Sequence, residues 1–208
     1  MLNNTYYESS TISTTENSYI EDTSKSLDKK FPELNLESIT NEKEHLLEKL
    51  IKFIEEIIEE NKLNLAPEEN ESEEIKDEEI LEKEFFKKLL VLEEKPNISL
   101  SRYIYRINKY LDPEISTFII SFIYMEKLTS TRSLKLKIDE NNIFKLILTS
   151  LTIAIKYNED DTHDNKFFSK VGGLTLKQLN ELELNFCAML KWDLFISYDI
   201  FRKYYLHL

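Results

Sequence analysis

The 208 residues carry a net charge of −12, which argues against broad contact with nucleic-acid phosphates or anionic membranes, since both call for clustered Lys and Arg. Two glycines and four prolines leave few of the turns that a sheet needs, so the composition favours an all-α chain. The single cysteine makes no internal disulfide, no stretch reaches the roughly 18 apolar residues of a membrane span, and MLNNTYYESSTIS lacks the basic-then-apolar order of a secretory signal; the expectation is an intracellular, soluble protein, in the cytoplasm, the nucleus or both.

Residues 1–40 are rich in Ser, Thr, Asn and Glu without a sustained period, and read as a disordered tail. From 41 to 61, Leu46/Leu47, Leu50/Ile51, Phe53/Ile54 and Ile57/Ile58 recur at helical spacing between Glu and Lys, the pattern of an amphipathic helix. That stripe fits either packing on a main domain or a coiled-coil seam. A seam needs three or four heptads and this stretch holds about two and a half, which favours packing. Residues 62–95 read as an acidic insertion. It opens on the extended LNLAPEENESEE, and then Ile75, Ile80/Leu81, Phe85/Phe86, Leu89/Leu90 and Leu92 mark a heavily charged amphipathic helix expected to fold on docking.

From residue 96 each apolar block follows a residue able to cap a helix. Ser99 precedes RYIYRINKYL; Asp112-Pro113-Glu114 combines an N-cap, a proline at the first helical position and an acid, and opens a helix to about Ser130; Asp139 can cap a third through Tyr157. In that third helix IFKLILTSLTIAIKY is apolar or small on nearly every face, so it must be surrounded by others and serves as the central strut. A short helix near 166–170 runs into Gly172-Gly173, where a glycine can take the left-handed conformation that closes a helix. Thr175 and Gln178 match a capping box before LKQLNELELNFCAML, and Ser197 can cap a last helix, DIFRKYYLHL.

Catalytic constellations are scarce. His45, His163 and His207 lie far apart in sequence, no Gly-rich phosphate loop exists, and Cys187 among Phe186, Ala188 and Met189 fits a buried structural thiol. The run 159–164 clusters acids and one imidazole, open to a divalent ion or to plain solvation; it lacks the glycine and distal Glu of an EF-hand loop. No catalytic residue, cofactor or metal is expected. Lys156 ends the apolar central helix, and Glu183 lies between Leu182 and Leu184. Each either turns its charge to water, or the two hold backbone C=O and N–H groups of a partner by charge-assisted hydrogen bonds.

PNISLSRYIYRINKYL, FIYMEKL, LTSLTIAIKY, FFSKVGGLTLKQLNELELNF and FRKYYLHL resemble successive blocks of a cyclin box, and most closely that of the P/U-type cyclins. The likeness covers residues 96–208 and reaches upstream to LIKFIEEIIEEN, which resembles the helix preceding the box; residues 62–95 fall where the family has a shorter linker. It implies a five-helix box with an extra N-terminal helix and a C-terminal helix. It also implies a regulatory subunit that binds and activates a cyclin-dependent protein kinase, as one cyclin chain in a heterodimer. The positions matching the family's kinase contacts are Lys156 and Glu183, with Tyr157 and Leu179 giving apolar area. Arg106 matches an Arg of structural role, expected to pair with Glu126, and Gly172 and Gly173 match structural glycines. Departures are Met125-Glu126-Lys127 for the family's Leu-Asp-Arg, and His163 to Phe168 where tyrosines are usual. Rival readings are a cyclin-fold adaptor that recruits partners without activating a kinase and, more weakly, a helical transcription-factor core, which normally shows two repeats and a basic face.

Overall fold

The apolar stripes become helices in a computed structural model that describes residues 36–63, 78–92, 96–131 and 134–207. In chain order these are α1 (Leu36–Leu63), α2 (Glu78–Leu90), α3 (Leu100–Leu111), α4 (Ile115–Thr129), α5 (Ile143–Asn158), α6 (Asn165–Gly172), α7 (Leu176–Met189) and α8 (Tyr198–His207). No strand occurs among the described residues, so the chain is all-α there. The five helices expected of the box correspond to α3 to α7. Of the tail expected over 1–40, residues 1–35 lie outside the described residues, as do 64–77 of the acidic insertion; α1 begins at Leu36, inside the stretch read as tail.

The unit from Lys43 to Leu208 is built around α5, whose residues from Ile143 to Ile155 are all buried. Helices α3, α4, α6 and α7 pack on it, α4 most extensively. The stripe of α1 goes to this core rather than to a coiled coil: Leu46, Leu47, Leu50, Ile51, Ile54 and Ile58 are buried, and Phe53 meets Phe122 of α4 edge-to-face at 5.4 Å.

Helix α2, expected to fold on docking, is docked on the same core. Phe86 and Leu90 are fully buried, and the Phe86 ring stands nearly perpendicular to Phe186 of α7 at 6.3 Å. The last carbonyls of a helix lack donors within it, and a cation placed there answers both the hydrogen bonds and the dipole. Lys145, buried on α5, does this: its Nζ donates to the carbonyls of Leu89 at 2.8 Å and Val91 at 2.7 Å.

Most helix ends follow the capping pattern. Ser99 Oγ accepts the Arg102 N–H at 3.3 Å, Thr175 and Gln178 form a reciprocal box, and Ser197 Oγ accepts the Ile200 N–H at 3.4 Å. Asp112 departs from it: instead of opening α4 it closes α3, left-handed at φ 41°, with its N–H on the Asn108 carbonyl at 2.9 Å. Aspartate tolerates that conformation better than most residues, and its carboxylate takes the Lys43 ammonium at 2.7 Å. The start of α4 is served from afar, since Glu159 accepts the Glu114 N–H at 3.0 Å. Asp139 caps the turn ahead of α5, accepting the N–H groups of Asn141 and Asn142 at 2.7 and 3.0 Å, and the helix itself starts at Ile143. Gly173 closes α6 at φ 74°, and a Cβ on Gly172 would collide with the Leu148 side chain of α5.

Two substitutions test this packing by urea denaturation. Phe86→Ala is expected to cost about 3–5 kcal/mol, and a loss near zero would remove α2 from the core. Gly172→Ala is expected to cost about 1–3 kcal/mol by overpacking against Leu148, and an unchanged midpoint would refute the close approach.

Candidate functional site

Because α5 stays buried through Ile155, Lys156 is where its charge first reaches solvent, with Tyr157 half exposed beside it. Helix α7 buries Leu179, Leu182 and Phe186, spacing that leaves Glu183 at the edge of the packed face. The two charges meet there: Lys156 Nζ lies 2.6 Å from Glu183 Oε1, with the side chains 32% and 21% exposed. The other carboxylate oxygen accepts the Asn165 amide at 2.6 Å, and the same amide nitrogen donates to Asn180 Oδ1 at 2.7 Å. Three helices, α5, α6 and α7, therefore converge on one carboxylate. Neither charge simply turns to water.

Around the pair lies an apolar surface that pattern reading missed. Asn180, Glu183, Leu184, Cys187 and Trp192 line a shallow depression of about 200 Å³, and Leu184 and Trp192 are 60% and 63% exposed. Leu184 is off the buried register of α7, and that mismatch is the signal that it faces outward. Trp192, the only tryptophan, is set by the turn after α7: Lys191 and Trp192 are both left-handed, at φ 54° and 59°, and the Trp192 N–H closes on the Cys187 carbonyl at 2.9 Å. Backbone in that region costs a non-glycine residue of order 1 kcal/mol or more. Leu179 is a correction in the opposite sense. It has no exposed surface and serves the core, so it gives a partner no area.

The expected Arg106–Glu126 pair does not form. Arg106 on α3 donates to the Lys170 carbonyl of α6 at 3.3 Å, whereas Glu126 on α4 faces the Tyr204 hydroxyl of α8. Burial, and then that carboxylate, push Tyr204 up to about 12. The helices carry the two charges to different sides of the box, which sequence spacing alone does not reveal. In the acidic run, Glu159 serves α4, and Asp164 caps α6 by accepting the Phe167 N–H at 2.8 Å. Among the described residues no group of three or more His, Cys, Asp or Glu converges to hold a metal, and no helix is long and apolar enough to cross a membrane.

The Cyclin family profile matches residues 44–194, and the chain belongs to the cyclin family. Within it the chain is similar to U- and P-type members. Cyclin-U4-2 of Arabidopsis thaliana is 36% identical over 110 residues, covering 53% of this chain and 50% of that protein. Cyclin-U4-1 of the same plant is 32% identical over 114 residues, covering 55% of this chain and 56% of that protein. Cyclin-P4-1 of Oryza sativa subsp. japonica is 31% identical over 110 residues, covering 53% of this chain and 51% of that protein. The chain spans about half the length of these curated relatives.

Burial pushes the Cys187 thiol from its ordinary 9.0 up to about 11; Glu183 adds to the rise and Lys156 opposes it. The unfolded chain ionises first, so the stability tied to this thiol is intact below pH 9.0 and lost as pH climbs through about 11. Cys187→Ala should flatten that alkaline decline in a series of urea midpoints from about pH 8 to pH 11. Identical slopes in the two chains would show that the thiol is not held protonated by the fold.

Proposed function

We propose that this chain binds a cyclin-dependent protein kinase and activates it, as the one cyclin chain of a heterodimer. Membership of the cyclin family supports the coarser statement, a cyclin-like regulatory subunit with a protein partner. The observation that carries the finer one is the Lys156–Glu183 pair, placed at the solvent edge of α5 and α7 at the positions that resemble the family's kinase contacts.

A lysine ammonium has three donors and a carboxylate several acceptor sites, so each keeps capacity for a partner after pairing with the other. They can take a backbone C=O and N–H of the kinase by charge-assisted bonds, while exposed Tyr157, Leu184 and Trp192 supply apolar area around them. Docked there, the cyclin presses the kinase's mobile regulatory helix inward and completes the Lys–Glu ion pair that positions ATP phosphates. Binding thus shifts the kinase population toward its active state. In this reading the chain contributes no catalytic group, and the complex acts inside the cell, in cell-cycle or nutrient-signalling control.

Lys156→Glu and Glu183→Lys each should lower kinase capture and histone phosphorylation by about tenfold or more. The double swap rebuilds the internal ion pair and with it the stability, but presents reversed charges, so capture stays low. Single variants that retain full capture and activity would end the kinase reading. A kinase captured at wild-type strength but left inactive by the unaltered chain would assign it to the adaptor class instead.

A further inference from the structure

We infer that Asn165 is the positioning residue for Glu183, fixing the carboxylate in the orientation it presents to the kinase; this rests on the function proposed above. Asn165 opens α6 directly after its cap Asp164, and its amide nitrogen spends both protons on α7, on Glu183 Oε2 at 2.6 Å and Asn180 Oδ1 at 2.7 Å. Turned the other way, the amide would set its oxygen against the Glu183 carboxylate, which only accepts, so that contact fixes the orientation. With Oε1 on Lys156 and Oε2 on Asn165, the carboxylate is held at both oxygens from two different helices. A lysine is a point charge on a flexible stem and leaves a carboxylate free to swivel about it; the planar amide removes that freedom.

A second observation separates orientation from mere stapling of α6 to α7. The Asn165 Oδ1 is buried and accepts no hydrogen bond among the described residues. An unpaired buried acceptor is destabilising, so for stability alone this residue is a poor choice. An aspartate would suit the first turn of α6 at least as well, because a negative charge is favourable at a helix N-terminus. It would, however, stand against Glu183 and displace it. The amide is the group of that shape that holds the carboxylate without repelling it.

The test uses the kinase recovered with the wild-type chain as probe, titrated against variants of the full chain, with urea midpoints measured in parallel. Asn165→Asp should weaken kinase binding roughly tenfold or more in a chain that still folds, its urea midpoint lowered by the repulsion between the two carboxylates. Asn180→Ala removes the other acceptor and spares the Glu183 bond, so it should weaken kinase binding much less than Asn165→Ala does. If Glu183→Lys abolishes binding while Asn165→Asp and Asn165→Ala bind as wild type, the positioning role falls and the kinase reading stands. Equal losses from Asn165→Ala and Asn180→Ala reduce Asn165 to a staple and also overturn it. If Glu183→Lys itself binds normally, the kinase reading fails and this inference fails with it.

Discussion

A helix with no exposed face until its last turn has to be enclosed, and the enclosure of α5 decides where every other helix goes. Ile143, Phe144, Leu146, Ile147, Leu148, Leu151, Ile153 and Ile155 are each buried, and such side chains favour burial by about 1.5–3 kcal/mol apiece. Walls are supplied by α3, α4, α6 and α7, with the apolar stripe of α1 added beyond them. The same constraint determines where the candidate pair sits. Charge leaves the core where the apolar run stops, at Lys156, and the helix packed beside that point carries Glu183.

Enclosure also explains the polar residues inside. Small side chains at Thr149, Ser150, Thr152 and Ala154 let neighbouring helices approach α5, as Gly172 does where it meets Leu148. Ser121 and Ser150 return their hydroxyls to the carbonyls of Phe118 and Ile147 at 2.7 and 3.1 Å. Thr117, Thr149 and Thr152 have buried hydroxyl oxygens with no partner among the described residues, a cost that packing offsets.

What was legible in the sequence is what depends on near neighbours in the chain. The stripes of α1 and α7, the enclosed nature of α5, the caps at Ser99, Thr175 and Ser197, and the closing turn at Gly173 are local in cause. The candidate pair was also legible, because a lysine ending an apolar helix and a glutamate flanked by leucines stand out against their surroundings. Long-range choices were not. Arg106 bonds a carbonyl 64 positions away rather than a carboxylate, and Asp112 closes a helix because Lys43 and the Asn108 carbonyl are there to receive it. Leu179 and Leu184 are chemically alike, and the register of α7 against α5 hides the first and exposes the second.

The ammonium of Lys145 anchors α2 through the carbonyls of Leu89 and Val91, and a carbonyl is the same whatever side chain it accompanies. The Lys145 grip itself does not depend on which side chains accompany those carbonyls. Beyond it, attachment rests on Phe86 and Leu90, with Leu89 and Leu92 packed against the same core. A segment held that way keeps its C-terminal end moored to the helix that carries Lys156, so the anchor of α2 and the candidate pair share one rigid element.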